Sequence, residues 1–417
     1  MVVGTLFVLS HAAEPANSGG WTQWRGPLRD GVSAEKGLLQ KWPEGGPKLL
    51  WRAEGLGEGY SSLSFAGDKI FTLGKRKNTE HVLALSAEDG KILWEKPVGQ
   101  TYSSGNGCTP TLDGDRLYAV AQKGDVVCLA QKDGTELWRL NYIQNFGGAL
   151  PSWGFTESPL VDGDRVILTP GGPEATLIAV NKLTGNVVWK SAVPKFGSRG
   201  GDSKGGYSSV VVSEAGGVRQ YVQLTGRGCV GIRADDGKFL WGYDRVANGV
   251  ANIPTPIVHE NLVFCTSGYG TGSALLELSK DADGVKAREV YFLEGPVMQN
   301  HHGGLVRVGD YIYGGHGHNQ GFPICIEMKT GKVVWRKDRG PGRRSAAVVY
   351  ADNQVYFRYE DGVVAIIGAT PKGYELNGSF SAPDNHPPCW SHPVVLNGKL
   401  YLRDQGTLLV YDVAAKK

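Results

Sequence analysis

A short phrase ending in an aromatic residue returns at a near-constant interval along this 417-residue chain. It reads DGKILW to Trp94, DGTELW to Trp138, TGNVVW to Trp189, DGKFLW to Trp241 and TGKVVW to Trp335. Weaker copies end at Phe292 and Phe380, and an early KLLW ends at Trp51. Successive anchors lie 43 to 52 residues apart. A period of about 40–50 residues, built from turns and strands, marks a ring of small sheets.

Each unit has the same internal order. An apolar strand meets a Gly-Asp turn, as at Asp113-Gly114-Asp115, Asp162-Gly163-Asp164 and Val308-Gly309-Asp310. A second strand follows, such as 116–120, then a third, such as 126–129, and the fourth carries the aromatic anchor. Tight turns between strands take glycine because they need positive φ. That accounts for most of the 61 glycines. After Phe380 only three further strands are predicted, at 391–395, 399–403 and 407–412. The missing outer strand is 48–53, so the two chain ends share one sheet and no sheet edge is left open around the ring. The fold class predicted is all-β: one eight-bladed β-propeller of four-stranded antiparallel blades over 47–417, its last blade closed by an N-terminal strand.

Residues 1–12 are expected to be the end of a secretory signal: an apolar run at 2–10, then Ser10-His11-Ala12 with small residues where a signal peptidase reads. No cysteine stands near that point, the first being Cys108, so a lipid anchor is not expected. Residues 13–46 form an N-terminal extension. These features predict a periplasmic or secreted protein. Net charge is +3 with no block of like charge, which argues against a nucleic-acid surface. No apolar run is long enough to span a membrane. The six scattered cysteines form no CxxC pair, and leave both disulfides and buried thiols open.

A propeller site is expected where the innermost strands begin, around one end of the central channel. Aligning the units on these strands gives three successive rows. The first is Gly59, Asn106, Phe155, Gly206, Asn252, His301, Arg344 and Cys389. The second is Tyr60, Gly107, Thr156, Tyr207, Ile253, His302, Ser345 and Trp390. The third is Ser61, Cys108, Glu157, Ser208, Pro254, Gly303, Ala346 and Ser391, with His392 following. Six of nine histidines fall between 301 and 392. His301, His302, His316, His318 and His392 are candidate ligands for a transition metal. The same imidazoles suit hydrogen bonding to a sugar, or acid–base work. The GYGTG stretch at 268–272 has no helix after it, so it does not read as a phosphate loop. No nucleophile elbow appears.

The repeat phrase with its tryptophan resembles the tryptophan-docking motif of quinoprotein-type, or PQQ-like, β-propellers. Further likeness lies in WGFTESP at 153–159, ANIPTP at 251–256, SGYGTG at 267–272, NHHGG at 300–304 and LRDQ at 402–405. These resemble the periplasmic planctomycete-type members and, more distantly, the propeller scaffold of outer-membrane protein assembly. The resemblance covers roughly residues 47–413 and implies one of two functions. One is an exported binding or scaffold propeller, with protein partners or a small polar or sugar ligand at the channel top. The other is a pyrroloquinoline-quinone dehydrogenase of alcohols or sugars. In that second case Glu157 and Asn252 would hold Ca²⁺ beside the quinone. Arg199, Lys204 or Arg344 would face its oxygens, and Trp153 or Trp390 would stack on it. Tyr60 and Tyr207 would line the same pocket, and Asp202 would be the base. The chain lacks the adjacent-cysteine pair and the CxxCH motif that many such enzymes carry. A metal- or carbohydrate-binding propeller is the third alternative.

Overall fold

The computed structural model describes residues 20–102, 105–199, 205–282, 284–383 and 385–416. The expected signal segment, Asp202 and Lys204 lie outside the described residues. Eight four-stranded antiparallel sheets follow one another around a ring. Their innermost strands are Ser64–Ala66, Thr111–Asp113, Leu160–Asp162, Val211–Ser213, Ile257–His259, Leu305–Val308, Ala346–Ala351 and Val394–Leu396, which we number as blades 1 to 8. Strand order in blades 1 to 7 is sequential, as short turns dictate. In blade 8, Lys48–Ala53 pairs with Thr407–Asp412 as the outer strand, closing the ring as expected. The inner strand of that blade starts at Val394 rather than at 391, because Pro393 has no N–H to give to the ladder.

Closure is reinforced from the core. The fully buried Arg403 of blade 8 donates to Leu73 O and to Thr72 Oγ1 (2.5 Å) of blade 1, and to Gly57 O (3.1 Å). One apolar cluster joins blades 7, 8 and 1 with Trp21, Leu38 and Trp42 of the N-terminal extension.

The anchors join neighbouring blades. Trp94 Nε1 donates to Gln131 O (3.1 Å), Trp138 to Lys182 O (3.0 Å), Trp189 to Ala234 O (3.0 Å) and Trp335 to Thr370 O (2.8 Å). Each acceptor belongs to the following blade. The turn glycine there sits under the ring: a Cβ on Gly134, at φ +71°, would lie 2.9 Å from Trp94. Every anchor marks a β-bulge in the outer strand, and that register corrects two sequence assignments. In blade 5 the bulge places Tyr291, not Phe292, at the anchor position, and its hydroxyl donates to Met328 O (2.6 Å). In blade 7 the position is Gly378 rather than Phe380. Trp42 packs over it instead, its backbone N–H donating to Asn377 O (2.9 Å). Trp241 differs from the others by bonding Gln220 of its own blade (2.6 Å).

Residues 20–46 form a strap. Its first part crosses the channel beneath the strand starts. Trp21 O accepts from Phe65 N and Thr22 O from Leu112 N, both at 2.8 Å. Arg29 donates to Ser158 O and Pro159 O (2.7 and 2.8 Å). Val32 bridges Tyr350 in parallel, and Ser33 Oγ reaches Val395 O (2.8 Å). The strap therefore touches most of the inner strands and floors the channel. All six cysteines are buried free thiols.

Candidate functional site

Alternate residues of an extended chain face opposite ways. The three rows at the strand starts sort by that rule. Every residue of the third row is buried. In the middle row Tyr60, Gly107, Thr156, Tyr207, Ile253, His302 and Trp390 are partly exposed, and all of them line one cavity of about 240 Å³. Ser345 is the exception in that row; it is buried, with its hydroxyl 2.8 Å from His301 Nδ1.

Asn106, Glu157 and Asn252 of the flanking rows turn into the blades, whereas first-row His301 lines the cavity and first-row Arg344 is exposed. In blades 2, 3 and 5 the three buried side chains clamp the strand start to the end of the second strand or to its own loop. Asn106 donates to Val120 O (2.6 Å) and Glu80 Oε2 (3.0 Å), and accepts from Cys108 N (2.7 Å). Glu157 Oε1 accepts from the Tyr142 hydroxyl and from Thr169 N (2.5 Å). Asn252 Oδ1 accepts from Asn248 N (3.0 Å) and Ser267 Oγ (3.3 Å). Asn300, one residue before the first row, does the same in blade 6, donating to Gly315 O (2.8 Å) and accepting from Gly304 N (3.1 Å). Burial pushes the Glu157 carboxyl up, against the opposing pull of its hydrogen bonds and Arg29. Burial likewise raises Glu80 to about 7.

The cavity wall is a ring of aromatic side chains. Tyr60 packs on Trp390 (centroids 4.7 Å apart), and Trp390 on His302 (5.0 Å). Trp153 meets Tyr207 edge-on at 5.6 Å. Tyr269, from the loop after the second strand of blade 5, has its hydroxyl 3.2 Å from His301 Nε2 and its ring 4.3 Å from His318. The strap supplies the floor: Trp24 packs against His392 at 4.5 Å and donates toward Thr255 Oγ1 (3.3 Å), with Arg25 beside it. Burial lowers His301 to about 4 and His392 to about 3, with His318 and Arg25 respectively adding repulsion. His302 is lowered for the same reason, with His301 and His392 adding to it. These three rings are neutral at pH 7.

Of the residues singled out from sequence, the fold brings Tyr60, Trp153, Tyr207, His301, His302, Trp390 and His392 onto this one wall. His318 joins through its ring contacts with Tyr269 and His301. His316 is buried elsewhere, its Nδ1 accepting from Gln299 N (3.4 Å). Arg344 is exposed and pairs with the buried Glu360 (3.2 Å). Arg199 is exposed on an outer loop, its backbone N–H bonded to Asp244. Glu157 and Asn252 serve the clamps, and Asp202 and Lys204 are outside the described residues. No three or more His, Cys, Asp or Glu among the described residues are grouped to hold a metal. Sequence reasoning missed Trp24, Arg25 and Tyr269. The first two sit in a segment without a repeat, and the third lies in the glycine-rich stretch that fails as a phosphate loop.

The fold is shared with solved structures of different activity. BamB from Moraxella catarrhalis is 15% identical, with a TM-score of 0.63 over 88% of this chain and 98% of that one. A europium-containing methanol dehydrogenase is 15% identical, with a TM-score of 0.65 over 94% and 91%. The quinohemoprotein alcohol dehydrogenase from Comamonas testosteroni is 13% identical, with a TM-score of 0.64 over 96% and 82%. At these identities the likeness is one of fold alone. No curated protein sequence matches the chain significantly. A family model described as outer membrane protein assembly factor BamB matches residues 35–147 and 78–337. Together these matches span well over half of the sequence, and the chain belongs to this family of PQQ-like β-propellers.

Proposed function

We propose that the protein is an exported, non-catalytic binding propeller, a scaffold for protein partners with a small-ligand cup at the top of its channel. The observation that carries this reading is the division of labour at the strand starts. Seven middle-row residues and His301 converge on one aromatic cavity, while Asn106, Glu157 and Asn252 of the flanking rows are bonded inside the blades. Membership of a family described by an assembly factor supports the protein-partner part. The apolar run at 2–10 supports export. Among the described residues no helix is long and apolar enough to cross a membrane.

A quinone-dependent dehydrogenase is the second reading, favoured by the aromatic cup and by the fold it shares with a methanol dehydrogenase. The described residues do not fit Ca²⁺ beside a quinone. Calcium takes about six to eight oxygen ligands, and no carboxylate or carboxamide lines the cavity among those residues. Glu157 Oε1 accepts two hydrogen bonds within its blade; its Oε2 is buried without a partner, but Glu157 does not line the cavity.

Incubation with pyrroloquinoline quinone and Ca²⁺, followed by dye-linked assays with alcohols and sugars, separates the two. The expected result is no dye reduction. Substrate-dependent reduction that disappears in Glu157→Ala and Asn252→Ala, with the fold retained, would overturn the proposal.

A further inference from the structure

Among the described residues the cavity wall carries one charged side chain, and it comes from the strap. Arg25 is 5% exposed and lines the cavity. Its Nη2 donates to Asp30 O (2.9 Å) and to Leu305 O. Its Nε has no partner, and it forms no ion pair with any described carboxylate within 4 Å. Two glycines make room for the guanidinium: a side chain on Gly304 would run into Nη1, and one on Gly31 into Nη2. A buried guanidinium without a contacting carboxylate is costly; the Asp30 carboxylate acts on it from beyond ion-pair distance and offsets this only in part, burial still lowering Arg25 to about 10. The surrounding imidazoles supply no counter-charge, being neutral here and cationic if protonated.

The rest of the wall gives the shape of what would pair with that charge. Trp24, Tyr60, Tyr207 and Trp390 present ring surface, which favours a flat apolar body. Three more nitrogens of lining residues are buried without partners: His302 Nε2, Trp390 Nε1 and His392 Nδ1. The indole N–H of Trp390 donates only and the neutral His302 ring can donate through Nε2, so these two suit acceptor oxygens; His392 donates from Nε2 to His302 O, which leaves its Nδ1 an acceptor. A cavity of about 240 Å³ is smaller than the ~300–1,000 Å³ of drug-sized sites, yet larger than the ~150 Å³ that admits benzene. It accommodates one ring with a substituent.

Building on the reading of the cup as a ligand site, we infer that it takes a small aromatic carboxylate. The ring lies among the channel aromatics, and the carboxylate faces Arg25 of the strap. The strap thereby acts as the charge-selecting floor of the site as well as a structural closure.

The test titrates the full chain with benzoate, its neutral counterpart benzamide, and acetate, following tryptophan fluorescence and heat. Benzoate is expected to bind saturably, about tenfold or more tighter than benzamide and acetate, the order set by one charge-assisted hydrogen bond. Arg25→Met should remove the preference for benzoate over benzamide, and Arg25→Lys should keep part of it. Arg25 also holds Leu305 O; where Arg25→Met fails to fold, melting of the unmutated protein decides, since benzoate but not benzamide should raise its Tm. Equal binding of benzoate and benzamide would overturn the inference and leave the cup standing as a neutral site. Acetate binding as tightly as benzoate would overturn the aromatic part. If neither ring compound binds at about 10 mM, the cup itself fails.

Discussion

Asn106 and Gly107 in blade 2, or Asn252 and Ile253 in blade 5, are chain neighbours with opposite fates. The first of each pair is buried and bonded inside its blade, and the second faces the channel. Side-chain chemistry would have sorted them the other way, with the amides in the wet channel and the apolar residues inside. The pleat decides instead, because consecutive residues of an extended segment turn to opposite sides; blade 6 departs from this, with His301 and His302 both lining the cavity. A polar residue near a propeller axis is therefore not by itself a ligand-binding residue; its parity within the strand start has to be counted first.

Three experiments would break or sharpen this contrast. The largest effect is expected from Asn106→Ala. It removes three hydrogen bonds and leaves the buried Glu80 carboxyl short of a donor, so urea unfolding should show a loss of about 3 kcal/mol. A loss under about 1 kcal/mol would mean that the clamps are not structural.

The second is the pH dependence of stability, where the two sets pull in opposite directions. His301 and His392 are held below the free value of 6.5, so the unfolded chain binds more protons, and the stability they contribute is lost as pH falls from about 6.5 toward 4 and 3. Around them stand His302, His318 and the Arg25 charge. Glu80 is raised to about 7, so the folded chain binds the extra proton; its burial costs stability above pH 7, and that cost is relieved as pH falls to about 4.5. Asp125 and Lys75 act on it with opposite signs. His392→Gln should flatten the decline between pH 6.5 and 4. Glu80→Gln should cost less at pH 8 than at pH 5. Parallel profiles for both variants and the parent would contradict these assignments.

The third and smallest effect on stability is expected from Tyr207→Ala in the middle row. The residue is partly exposed, and its main contacts are the Trp153 ring and backbone. A cost of about 1 kcal/mol is expected by chemical unfolding, with at least a tenfold fall in affinity for whatever aromatic ligand the cup takes.

The ring, its count and its closure were legible because each blade repeats one phrase and the turns demand glycine. The outer anchors of blades 5 and 7 were misread by one and two residues, since a bulge leaves no mark in composition and blade 7 has glycine rather than an aromatic at that position. The middle row could be aligned from sequence, but which of three adjacent rows faces inward depends on the phase in which each strand starts. The strap was not legible. Its contacts join Trp24 to Thr255 and Arg25 to Leu305, across more than 200 residues, and nothing periodic in residues 20–33 announces them.

The central claim is that the middle row, His301 and the strap bind, while Asn106, Glu157 and Asn252 of the flanking rows hold the blades together. Glu157→Gln tests it most directly, because Glu157 is the flanking residue with the strongest claim to a ligand-binding role and lies one position from Thr156 on the cavity wall. The measurement is a binding isotherm for one aromatic acid on this variant beside the parent protein. The predicted result is the same Kd within about twofold, whatever the change in stability. A collapse of affinity with the fold intact would place Glu157 in the site and contradict the account.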